Sequence, residues 1–290
     1  MTSQSSPFDT EFRELLRQIL RRAPRLRGGR DPRQRTRRRA VAHGGTFAGH
    51  RAYSEGEDLR HLDWNVYART GDLFLKVFEA EDRRSLTLCL DCTASMATGE
   101  PQRWRGALRL AAILGGLALA RLDGVEVVAG AERRTRFEGP ASLPRLLAQL
   151  ERERIDAQDP IALVRAGLEG AGGAICWLSD FAEPERARPA LAMVRRFGRR
   201  CSGWLPTIAT DRLPVVEGWL RLRDPETGEE ERVWIDAALR RAMEDELARL
   251  TRQQQAVFAE VGLPLVRFPL PGENDYRLSS WFDAAWTARL

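Results

Sequence analysis

Along most of the chain, short apolar runs that end in polar or acidic residues alternate with stretches whose apolar residues recur every three or four positions. Leu86, Leu88 and Leu90 make a nearly continuous apolar run of the kind buried on both faces of a parallel sheet. Residues 125–129, 174–179, 204–208 and 264–268 repeat the pattern, and 135–137 reads as an antiparallel partner of 125–129 across a charged turn. Between them, Trp104, Ala107, Leu108, Ala111, Ile113, Leu114, Leu117 and Ala118 predict a helix that is apolar almost all round and therefore buried against the sheet. Further helices are predicted at 143–150 and 161–168, after Pro184, at 236–261 with Leu239, Met243, Leu247, Leu250 and Phe258 inward, and at 278–290. Strands alternating with helices imply an α/β fold with a doubly wound, mostly parallel sheet. Residues 218–222 and 231–235, joined through Asp224-Pro225-Glu226-Thr227-Gly228, read as a β-hairpin inserted near the C-terminus.

Upstream of residue 83 the pattern differs. Ser6, Pro7 and Asp9 resemble a capped helix start, and Phe8, Phe12, Leu15, Leu16, Ile19 and Leu20 form one stripe for docking on the body or on a partner. From Arg21 to Arg39 arginines are dense and broken by Pro24, Gly28, Gly29 and Pro32, which predicts a solvated arm. Residues 56–70 alternate acids and arginines around Trp64 and Tyr67, as a structural ion-pair lattice does, and 73–78 reads as a strand leading towards the Leu86 strand. The expected organisation is an N-terminal helix and arginine-rich arm over 1–40, a segment packed on the core over 41–82, and the α/β domain over 83–290.

Composition narrows the function. With 43% hydrophobic and 30% charged residues the chain has the make-up of a soluble globular protein large enough to bury a core. No signal peptide is read at the N-terminus, and the longest apolar run, 110–120, is too short to span a bilayer, so a cytoplasmic location is the expectation. The net charge of +5 is carried by arginine, Lys76 being the only lysine. The arm could neutralise phosphates, but it lacks interleaved aromatic residues for base stacking, which disfavours nucleic acid as a partner. Cys89, Cys92, Cys176 and Cys201 lie in or beside predicted strands and read as reduced, buried thiols; the Cys89-x-x-Cys92 spacing points its two thiols to opposite faces of a strand. His43, His50 and His61 show no metal-ligand spacing.

The chemistry concentrates where the Leu86 strand ends. Asp91, Thr93 and Ser95 place a carboxylate and two hydroxyls at spacings of two, at the carboxyl end of a buried strand, where open α/β sheets bind ligands. Oxygen donors without imidazole or thiolate suit a hard cation, Mg²⁺ or Mn²⁺. Asp180 ends the 174–179 strand in the same way and offers a second acid, although either acid could simply cap a following helix. No G-x-x-x-x-G-K-[ST] loop is present, which excludes ATP hydrolysis by that route. Asp91-Cys92-Thr93 superficially resembles a phosphotransferase nucleophile motif, but a second Asp and a downstream lysine are lacking, so no catalytic constellation is assigned.

Asp91-x-Thr93-x-Ser95 with Asp180 resembles the metal-ion-dependent adhesion site of von Willebrand factor A domains. Together with residues 56–70, the 73–79 strand and Asp224-Pro225-Glu226-Thr227-Gly228, it resembles the bacterial family called domain of unknown function 58, from about residue 40 onward; Leu62-Asp63-Trp64 with Ala68-Arg69 is the most specific part. The resemblance implies a von Willebrand A-like, Rossmann-type sheet, a metal held by Asp91, Thr93, Ser95 and Asp180, and work with MoxR-type AAA+ ATPases in assembling or maturing client proteins. Two departures stand out: Thr93 replaces the usual first serine, and the loop before residue 161 has no threonine, with Asp159 about where one is expected and able to add a further acid to the metal set.

Overall fold

The computed structural model describes residues 6–22, 38–40, 46–53, 62–80, 85–99, 103–121, 124–129, 133–156, 159–169, 173–208, 217–224, 227–271, 277 and 281. Most of the arginine-dense segment, residues 54–61, the Pro225–Glu226 turn and all of the expected terminal helix except Trp281 lie outside these residues. The chain divides into two compact units, one of residues 1–26 with 84–290 and one of residues 27–83.

In the larger unit, α1 (Thr10–Arg22) opens the chain. Its cap is Asp9 rather than Ser6: an Asp9 carboxylate oxygen accepts from Phe12 N–H at 2.8 Å, while the Ser6 hydroxyl accepts from Phe8 N–H at 3.1 Å. The cap moves because Asp9 also meets a cation, its other oxygen lying 2.6 Å from the Arg109 guanidinium.

The smaller unit holds β1 (Arg38–Ala40), β2 (Thr46–Ala52), α2 (Trp64–Thr70) and β3 (Phe74–Ala80). The three strands form an antiparallel sheet of their own in the order β1-β3-β2, so β3 does not continue into the sheet that contains Leu86. Asp63 caps α2 by accepting from Asn65 N–H at 3.0 Å and is hydrogen-bonded to the His50 imidazole at 2.8 Å, and Gly71 closes the helix in the left-handed conformation at φ 76°.

The larger unit continues with β4 (Ser85–Leu90), α3 (Arg103–Arg121), β5 (Gly124–Ala129), β6 (Arg133–Phe137), α4 (Leu143–Arg152), α5 (Pro160–Leu168), β7 (Ala174–Leu178), α6 (Pro184–Arg196), β8 (Arg200–Thr207), β9 (Gly218–Arg223), β10 (Glu230–Ile235), α7 (Ala237–Glu260) and β11 (Leu265–Pro269). Six of these strands form one sheet in the order β11-β8-β7-β4-β5-β6, parallel except for the antiparallel edge strand β6. Numbered within the sheet this is the 3-2-1-4-5-6 order of a doubly wound fold, and β9–β10 is the expected inserted hairpin.

Helices cover both faces. One core joins α1, α3 and α4 to the sheet, and the other joins α5, α6 and the end of α7 to it. The all-round apolarity of α3 follows from this layering, because one side lies on β4 and β5 and another is covered by Phe12, Leu16 and Ile19 of α1. In contrast, α7 buries only Gln254, Val257 and Phe258; Leu247 is exposed and Leu239, Met243 and Leu250 are half-buried, so the stripe expected inward is covered only near its C-terminal end. Among the described residues no helix is long and apolar enough to cross a membrane.

Candidate functional site

The order of the sheet determines where a ligand can enter. From β4 the chain adds β5 and β6 on one side and β7, β8 and β11 on the other, so the topological switch point lies between β4 and β7. In open α/β sheets the helices on the two sides of such a point diverge and leave a crevice at the carboxyl ends of the strands. Asp91 directly follows β4, and Ser179 and Asp180 directly follow β7. The two strand ends are tied together, Asp91 N–H donating to Leu178 C=O at 2.9 Å.

Asp91 gathers the hydroxyls. One carboxylate oxygen accepts from Thr93 N–H at 2.9 Å and from the Thr93 hydroxyl at 2.6 Å, and that hydroxyl lies 3.1 Å from the Ser95 hydroxyl. The other oxygen accepts from the Ser179 hydroxyl at 2.5 Å. The turn makes this possible because Thr93 is extended and a short 3₁₀ turn over Ala94–Ala97 folds Ser95 back towards the strand end. Burial pushes the Asp91 carboxyl above the ordinary aspartate range, and the nearby charge of Asp180 adds to the rise, while the bonds from Ser179 and Thr93 act in the opposite direction.

Asp180 and Asp159 are engaged differently. One Asp180 oxygen pairs with the Arg103 guanidinium at 3.2 Å, where both side chains are almost fully buried, and the other accepts from Ala182 N–H at 3.1 Å. The same guanidinium donates to Ser95 C=O at 3.3 Å and to the Thr98 hydroxyl at 3.2 Å, so Arg103 links the Asp91 turn to the end of β7. Asp159 caps α5, accepting from Ile161 N–H at 3.1 Å and Ala162 N–H at 3.2 Å. The structure therefore brings Asp91, Thr93 and Ser95 into one hydrogen-bonded cluster, places Asp180 beside it on a protein cation, and turns Asp159 towards its own helix.

Sequence reasoning missed two residues, Ser179 and Arg103. Ser179 stands next to a singled-out acid and could have been found as a hydroxyl at the second strand end, whereas Arg103 is one arginine among many and carried no distinguishing signal. Just beyond them, Phe181 holds a positive φ of 47°, an uncommon conformation for a residue other than glycine. It is fixed there by Gln254, whose side-chain amide donates to Asp180 C=O at 3.0 Å and to Phe181 C=O at 3.1 Å.

The donor set fits a hard cation in part. Among the described residues no three His, Cys, Asp or Glu side chains gather as ligands, so a cation at Asp91 would rest on the hydroxyls of Thr93 and Ser95 as well. Asp180 could join only by exchanging Arg103 for the metal. The thiols offer no alternative: all four are buried, and burial pushes Cys89 and Cys92 up to about 12 and Cys176 up to about 11.

Comparison with known proteins identifies a family. The profile described as "Protein of unknown function DUF58" matches residues 49–194. No curated protein matches the chain. Among solved structures, the conserved hypothetical protein BatB from Bacteroides thetaiotaomicron is 16% identical, with 71% of this chain and 97% of that chain covered at a TM-score of 0.38. An aerotolerance-related membrane protein from Bacteroides fragilis NCTC 9343 is 15% identical, with 61% and 98% covered at a TM-score of 0.33.

Proposed function

From the premise that this chain belongs to the DUF58 family, we propose that it is a non-enzymatic protein-interaction adaptor whose Asp91 cluster holds Mg²⁺ or Mn²⁺ and grips an acidic side chain of a partner. One observation carries the reading: a partly buried carboxylate at the switch point of the sheet accepts from the Thr93 and Ser179 hydroxyls, with the Ser95 hydroxyl one hydrogen bond further on, and no imidazole or thiolate among them. Such a carboxylate bears a desolvation cost, visible in the raised Asp91 pKa, that a bound cation would offset. In this role Asp91, Thr93 and Ser95 hold the ion, Ser179 orients the carboxylate, and a partner Asp or Glu completes the coordination. The partner we propose is a MoxR-type AAA+ ATPase or its client in protein assembly or maturation, because this chain carries no phosphate-binding loop of its own and any ATP-driven work must come from elsewhere.

Pull-down of a purified MoxR-type ATPase from the same genome tests the reading, with wild-type protein in Mg²⁺, wild-type protein in EDTA, and Asp91→Ala in Mg²⁺ as baits. Retention by the first bait alone is expected. Equal retention by all three would place the interaction away from Asp91. Release of phosphate from a general phosphatase substrate, abolished by Asp91→Asn, would overturn the adaptor reading in favour of an enzyme.

A further inference from the structure

Beside the Asp91 cluster, a cleft of about 670 Å³ opens over the carboxyl ends of β8 and β11. That volume is ordinary for a ligand site. Its floor is Leu205, Thr207 and Ile208 at the end of β8 with Pro269 and Leu270 at the end of β11, the two ends being closed by Leu270 N–H donating to Thr207 C=O at 2.8 Å. One wall is the face of α7 that carries Leu247, Leu250, Thr251 and Gln254, and the other is Arg103, Asp180 and Ala182.

The charges in this cleft do not cancel. Arg103 and Asp180 answer each other. Arg267 donates to the Gln254 side-chain oxygen at 3.2 Å, and among the described residues no carboxylate pairs with it. The cleft therefore presents a guanidinium anchored by a neutral amide, which retains most of its capacity to bind a carboxylate in its fork. It also presents Leu247, 37% exposed, with half-buried Leu250, on the part of α7 that the core leaves uncovered.

Helix geometry sets the distance along α7 between the residue that holds Arg267 and the exposed leucine. Gln254, which holds Arg267, and Leu247 are seven residues apart on α7, which is about 10 Å at ~1.5 Å per residue. An extended chain advances ~3.3 Å per residue, so three residues cover the same span. We propose that this cleft binds an extended peptide segment of a partner protein in which an Asp or Glu is followed, three positions on, by an aliphatic residue. The carboxylate pairs with Arg267 and the aliphatic side chain covers Leu247 and Leu250. This site needs no metal and does not rest on the Asp91 reading, although Gln254 connects the two: the amide that holds Arg267 also holds the backbone of Asp180 and Phe181.

Fluorescence polarisation with the full-length protein in EDTA tests the proposal, using five labelled peptides in which Glu and Leu are separated by none to four alanines. The peptide with two intervening alanines is expected to bind tightest. Replacing its Glu by Gln, or using Arg267→Gln protein, is expected to weaken binding at least tenfold, with Arg267→Lys retaining part of it and Leu247→Asp weakening it independently. Absence of binding by every peptide, indifference to spacing, or binding that survives Arg267→Gln combined with Leu247→Asp would overturn the proposal, as would glutarate binding as tightly as the best peptide. Binding that appears only in Mg²⁺ and vanishes in Asp91→Asn, while ignoring Arg267 and Leu247, would overturn the cleft and leave the metal reading standing. Binding in EDTA that follows Arg267 and Leu247 supports the cleft whatever becomes of that reading.

Discussion

Replacing Arg103 by alanine is expected to be costly. The guanidinium lies 3.2 Å from the Asp180 carboxylate, with side chains 10% and 8% exposed, so solvent screens the pair little. Removing one partner of a buried pair leaves the other charge uncompensated, at about 3–5 kcal/mol. Ser95 C=O and the Thr98 hydroxyl lose their donor at the same time. Taking about 3 kcal/mol, and about 2–4 °C per kcal/mol for a unit of this size, thermal unfolding is expected to fall by about 6–12 °C. Adding Asp180→Asn removes the stranded charge, and the double variant is expected to regain about half of the loss in urea unfolding followed by tryptophan fluorescence. Mg²⁺ is expected to stabilise Arg103→Ala more than wild type, because Asp180 is then open to a cation. A loss below about 1 kcal/mol, or strict additivity of the two substitutions, would refute the claim that Arg103 serves as the cation for Asp180.

Three further outcomes follow from the packing and the titration. Phe12→Ala removes a fully buried ring stacked 5.6 Å from Phe8 and covered by Arg109 at 5.4 Å, a loss of about 3–5 kcal/mol that is expected to undock α1 and expose it to trypsin. Gly173→Ala is expected to lower the melting temperature steeply, since a Cβ there would meet Ser85 C=O and φ is 93°, whereas Gly139→Ala, at φ 68° but with open space, is expected to cost only about 1–2 kcal/mol. A carboxyl whose folded pKa is raised contributes stability that is complete below its unfolded pKa and is lost as pH rises through the folded value. In EDTA the melting temperature of Asp91→Asn is therefore expected to gain on wild type as pH rises from the acid range through the raised Asp91 pKa, and to level off above it.

Much of this was legible in the sequence because it depends on periodicity. The apolar runs at Leu86, residues 125–129 and 174–179 became β4, β5 and β7, and the acids and hydroxyls at their ends fell at the switch point because strand order and strand ends are set by the same alternation of strand and helix. The smaller unit was less legible. Its sheet pairs arginine-rich β1 with β3, a pattern without clean alternation, and its strand β3 looked like an approach to β4 because nothing local says which sheet a strand will join. The cap of α1 moved from Ser6 to Asp9 because Arg109, a hundred residues away, selects the acid. The same holds at the site: Thr93 and Ser95 reach Asp91 through local turn geometry, but Arg103 on Asp180 and Gln254 behind Phe181 are tertiary contacts that spacing cannot reveal.

Titration with Mn²⁺, followed by loss of the free-ion electron paramagnetic resonance signal, tests the central claim most directly, using wild type, Asp91→Asn and Asp159→Asn. One site displaced by Mg²⁺, present in wild type and Asp159→Asn and absent from Asp91→Asn, is the predicted result. No saturable site in wild type, or one that Asp91→Asn leaves intact, would contradict the account.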